Sequence, residues 1–448
     1  MEHDMCLHAI PVDNWTDAAD AQRSEGKGIM RRTAIALLML LILMTGMLLT
    51  ACGSSDPVPE PDPEPEPVPE PVPGPDDDGG EEQQPAVQTA AEKILAGMTL
   101  EEKVCQLFMI RPENLLSEQR QEQAGDGDDS GTTEADSDME RILRKYPCGG
   151  IIMFGGNLTT PEALAEFMDR LSAASKIPLL YGVDEEGGGV ARIANNGNFG
   201  VNKTWSMSYI GASGDATRAY DAGNYIGSYL KEFGFSVDFA PVADINSNPN
   251  NIVIGYRSFG SDPELVSSMV SGFLEGLHSA GIAGCIKHYP GHGDTSQDTH
   301  QGYAEVTKTW DELLEMELIP FRDNLDDADM VMVAHITLPN VASAGLPATL
   351  SYEIMTDRLR GELGYKGIII TDALGMGAIT NKYASDTAAV LAFSAGADIL
   401  LLPADYAKAC EGVIAAVKDG RISMERLDES VLRILTLKEK LGFLEGTV

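Results

Sequence analysis

The stretch GIAGCIKHYPGHGDTSQDTH, residues 281–300, joins a short apolar run to a polar loop. The run ends abruptly at Lys287 and His288, and a segment rich in Gly, Asp, Thr and His follows. This pattern is typical of a buried strand that delivers polar side chains to a site at its carboxyl end. A turn whose histidines only satisfy backbone groups is the alternative interpretation.

The histidines of this stretch allow two kinds of chemistry. A zinc site is disfavoured, because Pro290 and two glycines keep His288 and His292 from lying one turn apart on a helix. Asp298 and His300 lie two residues apart, where alternate side chains of an extended segment point the same way. A carboxylate so placed holds an imidazole in one tautomer and raises its basicity, which predicts an acid–base dyad.

Outward from this stretch, apolar runs of strand length alternate with helical patterns. The runs are Val104–Ile110, Gly150–Phe154, Pro178–Val183, Val237–Ala240, Ala283–Ile286, Met330–Ala334, Gly367–Thr371 and Ile399–Leu402. Helical segments include Pro161–Ser175, Ala216–Phe233, Pro263–Ala280, Thr309–Leu325, Tyr352–Leu363 and Ala404–Lys418. About eight β-then-α units predict an α/β fold, a single (β/α)8 TIM barrel. A doubly wound open sheet is the alternative, because counting units does not prove closure.

Polar residues follow five of these runs, at the strand ends where a barrel places its active site. They are Asp184 and Arg192, Asp244 and Arg257, Lys287 and His288, His335, and Asp372. Solvation of strand ends explains one such case but not five in succession. We therefore expect these side chains to converge on one site.

Asp372 ends the run in KGIIITDALGM, residues 366–376. A lone carboxylate after a buried strand, followed by small and apolar residues, is well placed to be held rigidly in a pocket. The alternative interpretation is a helix N-cap.

The run from Lys287 to Thr295, with Asp298-Thr299-His300, resembles the signature of the β-N-acetylglucosaminidase branch of glycoside hydrolase family 3. The resemblance covers Leu95 to Phe443 and implies a retaining exo-β-N-acetylglucosaminidase. It implies that Asp372 is the nucleophile and that His300, oriented by Asp298 on a mobile loop, is the acid–base. Substrate-binding roles carry over to Asp184, Arg192, Arg257, Lys287 and His288.

Two features of the sequence differ from the family pattern or help to decide which branch of the family the chain resembles. Gly189 stands where the family's Asp-x-Glu-Gly-Gly-Arg pattern has Arg, which would loosen an ion pair or widen the pocket. The chain ends soon after the barrel, so no second domain would supply a catalytic Glu. A β-glucosidase or β-xylosidase is therefore the weaker enzyme reading, and a non-catalytic surface glycan-binding protein is the alternative outside enzymes.

The amino-acid composition limits the kinds of molecule that the protein is expected to bind. The formal net charge is -37, with 32 Lys and Arg against 69 Asp and Glu, and no basic stripe appears, which argues against nucleic acid. The expected partner is a carbohydrate, and the mechanism needs neither metal nor organic cofactor. Cys105, Cys148, Cys285 and Cys410 occur singly in apolar surroundings, so we expect core thiols.

The N-terminal part predicts export and anchoring. Arg31-Arg32 precedes an apolar run that closes with Leu-Thr-Ala-Cys at Cys52, which resembles a bacterial lipoprotein signal over residues 1–52. A transmembrane anchor is the alternative, and both place the body outside the cytoplasm. Residues 53–89 are expected to be a Pro/Glu/Asp-rich disordered linker, and residues 90–448 are expected to form the barrel. Residues 112–137 are expected to be an acidic, mobile surface insertion apart from the chemistry.

Overall fold

The computed structural model describes residues 88–117, 119–121, 130–295 and 304–446. Within these ranges the centre is a parallel sheet of eight strands. Their bounds are β1 Phe108–Ile110, β2 Gly150–Ile152, β3 Leu180–Val183, β4 Val237–Asp238, β5 Ala283–Tyr289, β6 Met330–Val333, β7 Ile368–Thr371 and β8 Leu400–Leu401. The predicted apolar runs thus became the strands, since strands covered on both faces read as continuous hydrophobic segments.

The sheet curls into a nearly closed barrel. Strands β1 to β7 are neighbours in chain order, and β8 returns to pair with β1. The remaining two edges meet at one parallel bridge, between Ile370 and Ile399, where the N–H of Thr371 donates to the Ile399 carbonyl at 3.1 Å. The predicted parallel α/β barrel is confirmed in this form. The open doubly wound sheet is wrong, because its strand order would reverse part-way across.

Side chains fill the barrel interior. Gly182 on β3 lies opposite Met109 and Phe239, and a Cβ at Gly182 would come within 2.6 Å of the Met109 methyl carbon and 2.9 Å of the Phe239 ring. A small residue therefore faces two large ones at this level, as close packing of a barrel core requires.

Helices cover the outside of the sheet. They are α1 Ala90–Ala96, α2 Leu100–Gln106, α3 Ser137–Lys145, α4 Pro161–Ala174, α5 Met207–Gly211, α6 Ala216–Glu232, α7 Pro263–Ser279, α8 Trp310–Leu314, α9 Ile319–Asn324, a π-helix Glu353–Glu362, α10 Gly377–Thr380, α11 Ser385–Ala395, α12 Tyr406–Lys418 and α13 Met424–Lys440. Short strand pairs outside the barrel join Glu185–Gly187 with Val190–Ala191 and Ala304–Glu305 with Ile336–Thr337.

Two element boundaries differ from the sequence prediction. The first strand begins at Phe108 because the capping box of Thr99 and Glu102 starts α2 at Leu100, and that helix runs through Gln106. The predicted helix 309–325 divides into α8 and α9, with a proline in the first turn of α9.

Four predicted core thiols are confirmed, since the cysteines of the described part are free and buried. They are Cys105, Cys148, Cys285 and Cys410. Cys52, the predicted signal and almost all of the predicted linker lie outside the described residues. Across the described ranges, no helix combines the length and apolar character needed to cross a membrane.

Candidate active site

A cleft of about 1020 Å³ lies at the carboxyl ends of the barrel strands. The predicted site residues that line it are Asp184, Arg192, Arg257, Lys287, His288 and Asp372. The expected convergence of these side chains is therefore seen in the structure. Asp298 and His300 lie outside the described residues, so the acid–base dyad stays a prediction.

Asp372 follows β7 and is half-buried at the wall of the cleft. Its N–H donates to the Val333 carbonyl at 2.9 Å, and one carboxylate oxygen accepts the Ala373 N–H at 2.7 Å. The helix N-cap alternative is wrong, because the next helix, α10, has Met376 at its N-cap. The hydrogen bond from the Ala373 backbone thus holds the Asp372 carboxylate at the cleft wall, and the carboxylate does not cap a helix.

The charge state of Asp372 suits a nucleophile. Burial raises the pKa of this carboxyl, but the imidazoles of His335 and His288 and the Ala373 amide lower it more, so the pKa lies below its ordinary value. The carboxylate is therefore ionised near neutral pH, as attack on an electrophilic carbon requires.

His335 supports the segment that carries Asp372. Its Nε2 lies 2.8 Å from the Ala373 carbonyl oxygen, and its Nδ1 lies 2.7 Å from the Thr349 hydroxyl. Because a carbonyl oxygen only accepts, Nε2 carries the proton of this contact. His335, buried behind Asp372, links the ends of β6 and β7.

Four charged side chains form a compact cluster across the cleft. The Lys287 ammonium lies 2.7 Å from an Asp184 oxygen and 2.6 Å from a Glu186 oxygen. Arg257 binds Glu186 with two parallel bonds, Nε and Nη2 each at 2.7 Å. Sequence reasoning missed Glu186, although it stands in the Asp-x-Glu-Gly-Gly pattern. Its carboxylate holds the two cations in fixed positions.

Glu186 and Lys287 stay charged within the cluster. Burial raises the pKa of Glu186, but Arg257 and Lys287 outweigh it and bring the pKa far below its ordinary value. Burial alone would lower the pKa of Lys287, whereas Asp184 and Glu186 raise it above its ordinary value. Fixed donors and acceptors of both signs at a cleft wall are suited to a ligand with many hydroxyl groups.

Asp244 organises His288, near the end of β5, and His292, in the loop that follows. One of its oxygens accepts from His288, at 2.7 Å from Nδ1 and 3.1 Å from the backbone N–H, and the other accepts the His292 N–H at 2.6 Å. The His288 Nε2 lies 3.4 Å from Arg257 Nη2, which only donates. His288 therefore carries its proton on Nδ1 and presents Nε2 as an acceptor.

His292 is a buried cleft residue that the sequence did not single out as functional. Its Nδ1 lies 2.8 Å from the Thr295 hydroxyl, whose oxygen also lies 2.9 Å from the His292 carbonyl. Burial is the main cause that lowers the pKa of His292, with the neighbouring His288 next, so the His292 ring is neutral near pH 7. Among the described residues its Nε2 has no hydrogen-bond partner.

The family described as glycosyl hydrolase family 3 N terminal domain matches residues 99–437. The chain belongs to this family. The match confirms two predictions, that the chain is a glycoside hydrolase and that it resembles family 3.

Three relatives in this family carry functional names. The chain is 36% identical over 337 residues to beta-hexosaminidase A of Pseudoalteromonas piscicida, covering 68% of this chain and 55% of the relative. It is 32% identical over 323 residues to beta-hexosaminidase LpqI of Mycobacterium tuberculosis, covering 67% and 78%. A solved family 3 beta-N-acetylglucosaminidase from Paenibacillus sp. str. FPU-7 has a TM-score of 0.69 and 39% identity, covering 77% of this chain and 63% of that one.

Gly189 stands where the family 3 pattern has Arg, and the structure shows what surrounds this position. A Cβ at this position would lie 2.7 Å from the Tyr256 hydroxyl and 3.1 Å from the nearest ring carbon. The tyrosine therefore occupies space next to the hairpin that the family's Arg would enter. The ion pair between Glu186 and Arg257 is nevertheless complete, with two bonds at 2.7 Å.

The expectation that residues 112–137 lie apart from the site is wrong at the N-terminal end. Pro112–Leu115 form a 3-10 helix, and Glu113 is buried against the Asn157 amide at 2.8 Å and bonded to Arg111 Nε at 3.1 Å. Arg111, Glu113 and Asn114 line the family 3 cleft. The Arg111 guanidinium also lies 4.6 Å from the Phe154 ring centroid, which ties this segment to the loop after β2.

Across the part of the chain that the structure describes, no group of three His, Cys, Asp or Glu side chains has metal-binding geometry. The carboxylates of this family 3 site contact Lys, Arg, His and backbone N–H groups.

Proposed function

We propose that the chain is a retaining exo-β-N-acetylglucosaminidase that removes terminal β-linked N-acetylglucosamine from cell-wall fragments or related glycans. The observation that carries this proposal is the ionised Asp372 at the end of β7, facing a cleft with a polyhydroxyl-binding charge cluster. The names beta-hexosaminidase and beta-N-acetylglucosaminidase among the relatives support the choice of sugar.

The reaction proceeds in two displacements. Asp372 attacks the anomeric carbon while His300 protonates the leaving oxygen, which gives a covalent glycosyl-enzyme and a free aglycone. His300 then deprotonates a water molecule, which attacks the same carbon and releases Asp372. An imidazole with an ordinary pKa near 6.5 serves as acid and then as base near neutral pH, and Asp298 keeps it in the required tautomer.

The charge cluster binds the sugar in the cleft. Asp184 accepts hydroxyl protons, and Lys287 donates on the C3 to C6 side. Arg192 and Arg257 donate to hydroxyls and the N-acetyl side, and His288 accepts through Nε2. Because Glu186 and Asp244 hold these groups in place beforehand, little side-chain entropy is lost when the sugar binds.

The chain is proposed to act outside the cytoplasm. In this proposal Cys52 is acylated and becomes the mature N-terminus. The Pro/Glu/Asp-rich segment of residues 53–89 then tethers the barrel to the membrane.

The test is steady-state hydrolysis of 4-nitrophenyl β-N-acetylglucosaminide compared with the matching β-glucoside. We expect a strong preference for the acetamido sugar, lost in His300→Ala and in Asp372→Asn. A preference for the glucoside would instead favour the alternative function, a β-glucosidase. Sugar binding without turnover of either substrate would favour the non-catalytic glycan-binding protein.

A further inference from the structure

Exposed large hydrophobic side chains concentrate in one stretch of the chain. Seven large hydrophobic side chains are exposed in the described residues: Trp205, Tyr209, Tyr225, Ile252, Tyr256, Tyr352 and Met424. Five of these fall within residues 205–256. Single exposed hydrophobic residues are ordinary, but a group of them in one region indicates a binding surface.

Trp205 and Tyr209 form a stacked pair. Their ring centroids lie 4.6 Å apart with an interplanar angle of 29°. The two residues are 67% and 55% exposed, so most of both side chains is in contact with water. Keeping two large rings in water has a free-energy cost that burial in the core would avoid.

A third exposed ring, Tyr256, lies on a segment that packs against the helix at the stacked pair. Helix α5, which carries Tyr209, packs on the segment that carries Tyr256. The approach is so close that a Cβ on Gly211 of α5 would lie 1.7 Å from the Phe259 carbonyl oxygen. We call Trp205, Tyr209 and Tyr256 the aromatic platform.

The aromatic platform reaches the rim of the cleft. The end of the Tyr256 ring lies beside Gly189, which has no side chain to push it away. The residues that follow these two, Arg257 and Val190, both line the cleft. A ligand that extends beyond the cleft on this side therefore meets the platform.

The chemistry of the platform fits sugar rings. A β-linked N-acetylglucosamine unit has an apolar C–H face that covers an aromatic ring, while its hydroxyls stay in water or meet the tyrosine O–H and the tryptophan N–H. The whole chain carries a formal charge of -37, which disfavours an anionic polymer.

We propose that the aromatic platform binds sugar rings of a neutral β-linked N-acetylglucosamine polymer and holds that polymer at the mouth of the cleft. This inference rests on the proposed function for the choice of polymer. It adds a binding surface that is separate from the residues that hold the terminal sugar.

The test compares the full chain with Trp205→Ala, Tyr209→Ala and the double variant for binding to insoluble chitin. Tyr352→Ala is the matched control, because Tyr352 is also an exposed tyrosine, at 57%, but lies outside the platform. We expect binding to chitin to weaken about tenfold in the double variant and to stay unchanged in the control. We also expect kcat/KM for 4-nitrophenyl β-N-acetylglucosaminide to stay within about twofold of wild type in all variants, since none of these residues lines the cleft.

Unchanged chitin binding in the double variant, or no binding by the wild type, would overturn the proposal. So would loss of self-association in the double variant with chitin binding intact, measured by analytical ultracentrifugation, because the patch would then be a protein interface. Binding to chitin requires no turnover. A wild type that binds chitin through these rings but hydrolyses no nitrophenyl glycoside would refute the proposed function and leave this inference standing.

Discussion

Replacing Glu186 with Gln should destabilise the barrel more than any other single change of charge in the cleft. The Glu186 side chain is 1% exposed and neutralises two cations, with contacts of 2.6 Å to Lys287 and 2.7 Å to Arg257. Gln has the same size but no charge, and its amide N–H2 would face a donor group of Lys287 or Arg257.

The expected magnitude follows from the burial of the cluster. Removing one partner of a buried ion pair costs about 3–5 kcal/mol, because the charge left behind is desolvated and unpaired. Asp184→Asn is the matched control, since Asp184 shares Lys287 but its side chain is 19% exposed, and Glu186 still neutralises the lysine. We expect the control to lose less than about 2 kcal/mol.

Urea unfolding at pH 7 measures both variants, with the free energy of unfolding taken from the midpoint and the slope. The difference between the variants should persist in 1 M NaCl, because salt screens buried pairs little. Equal losses in the two variants, or a loss below about 1 kcal/mol in Glu186→Gln, would refute the view that Glu186 anchors the cluster.

Three further changes test other parts of the structure. Gly293→Ala should cost about 3 kcal/mol in urea unfolding, because the new Cβ would lie 1.7 Å from the Ile245 carbonyl oxygen, whereas Gly197→Ala, with nothing within 4 Å, should be neutral. Burial lowers the pKa of Lys438 to about 7, below that of the unfolded chain, so the unfolded state binds more protons above pH 7. Stability should therefore rise with pH, and Lys438→Met should remove about 2 kcal/mol of the rise between pH 7 and 9. Thr349→Val should lower stability by about 1 kcal/mol and reduce kcat, with both restored by Thr349→Ser, because the hydroxyl is the partner of His335 Nδ1.

Each of these predictions has an outcome that contradicts it. Equal stability of the two alanine variants would mean that the close approach at Gly293 does not constrain the loop. The same pH dependence in wild type and Lys438→Met would mean that the lysine is not desolvated. A serine that fails to restore kcat would mean that the Thr349 hydroxyl does not position His335.

The barrel strands were predictable because each is buried on both faces. The run 367–371 has no alternation of apolar and polar residues, and the structure buries all of β7 at Ile368–Thr371. Since parallel strands end at the same rim, the polar residues after them converge, and Lys287, His288 and Asp372 were found in this way. Closure itself was not predictable, because it depends on one bridge between Ile370 and Ile399.

The partners of the site residues were not predictable from sequence. Glu185 and Glu186 are adjacent carboxylates, yet Glu185 accepts backbone N–H groups and the Tyr229 hydroxyl at 2.7 Å, and burial raises its pKa. Glu186 points to the other side and binds Arg257, 71 residues away. Because only the fold brings Arg257 close to Glu186, the motif alone does not reveal which of its carboxylates binds the arginine.

The central claim is that Asp372 forms a covalent bond to the sugar. The most direct measurement is mass spectrometry of the protein after incubation with a fluorinated N-acetylglucosaminyl donor that slows breakdown of the intermediate. We predict the mass increase of one sugar residue on the peptide that contains Asp372, and no increase in Asp372→Asn, because the amide is a poor nucleophile. Labelling of a different carboxylate, or turnover by Asp372→Asn at the wild-type rate, would contradict the account.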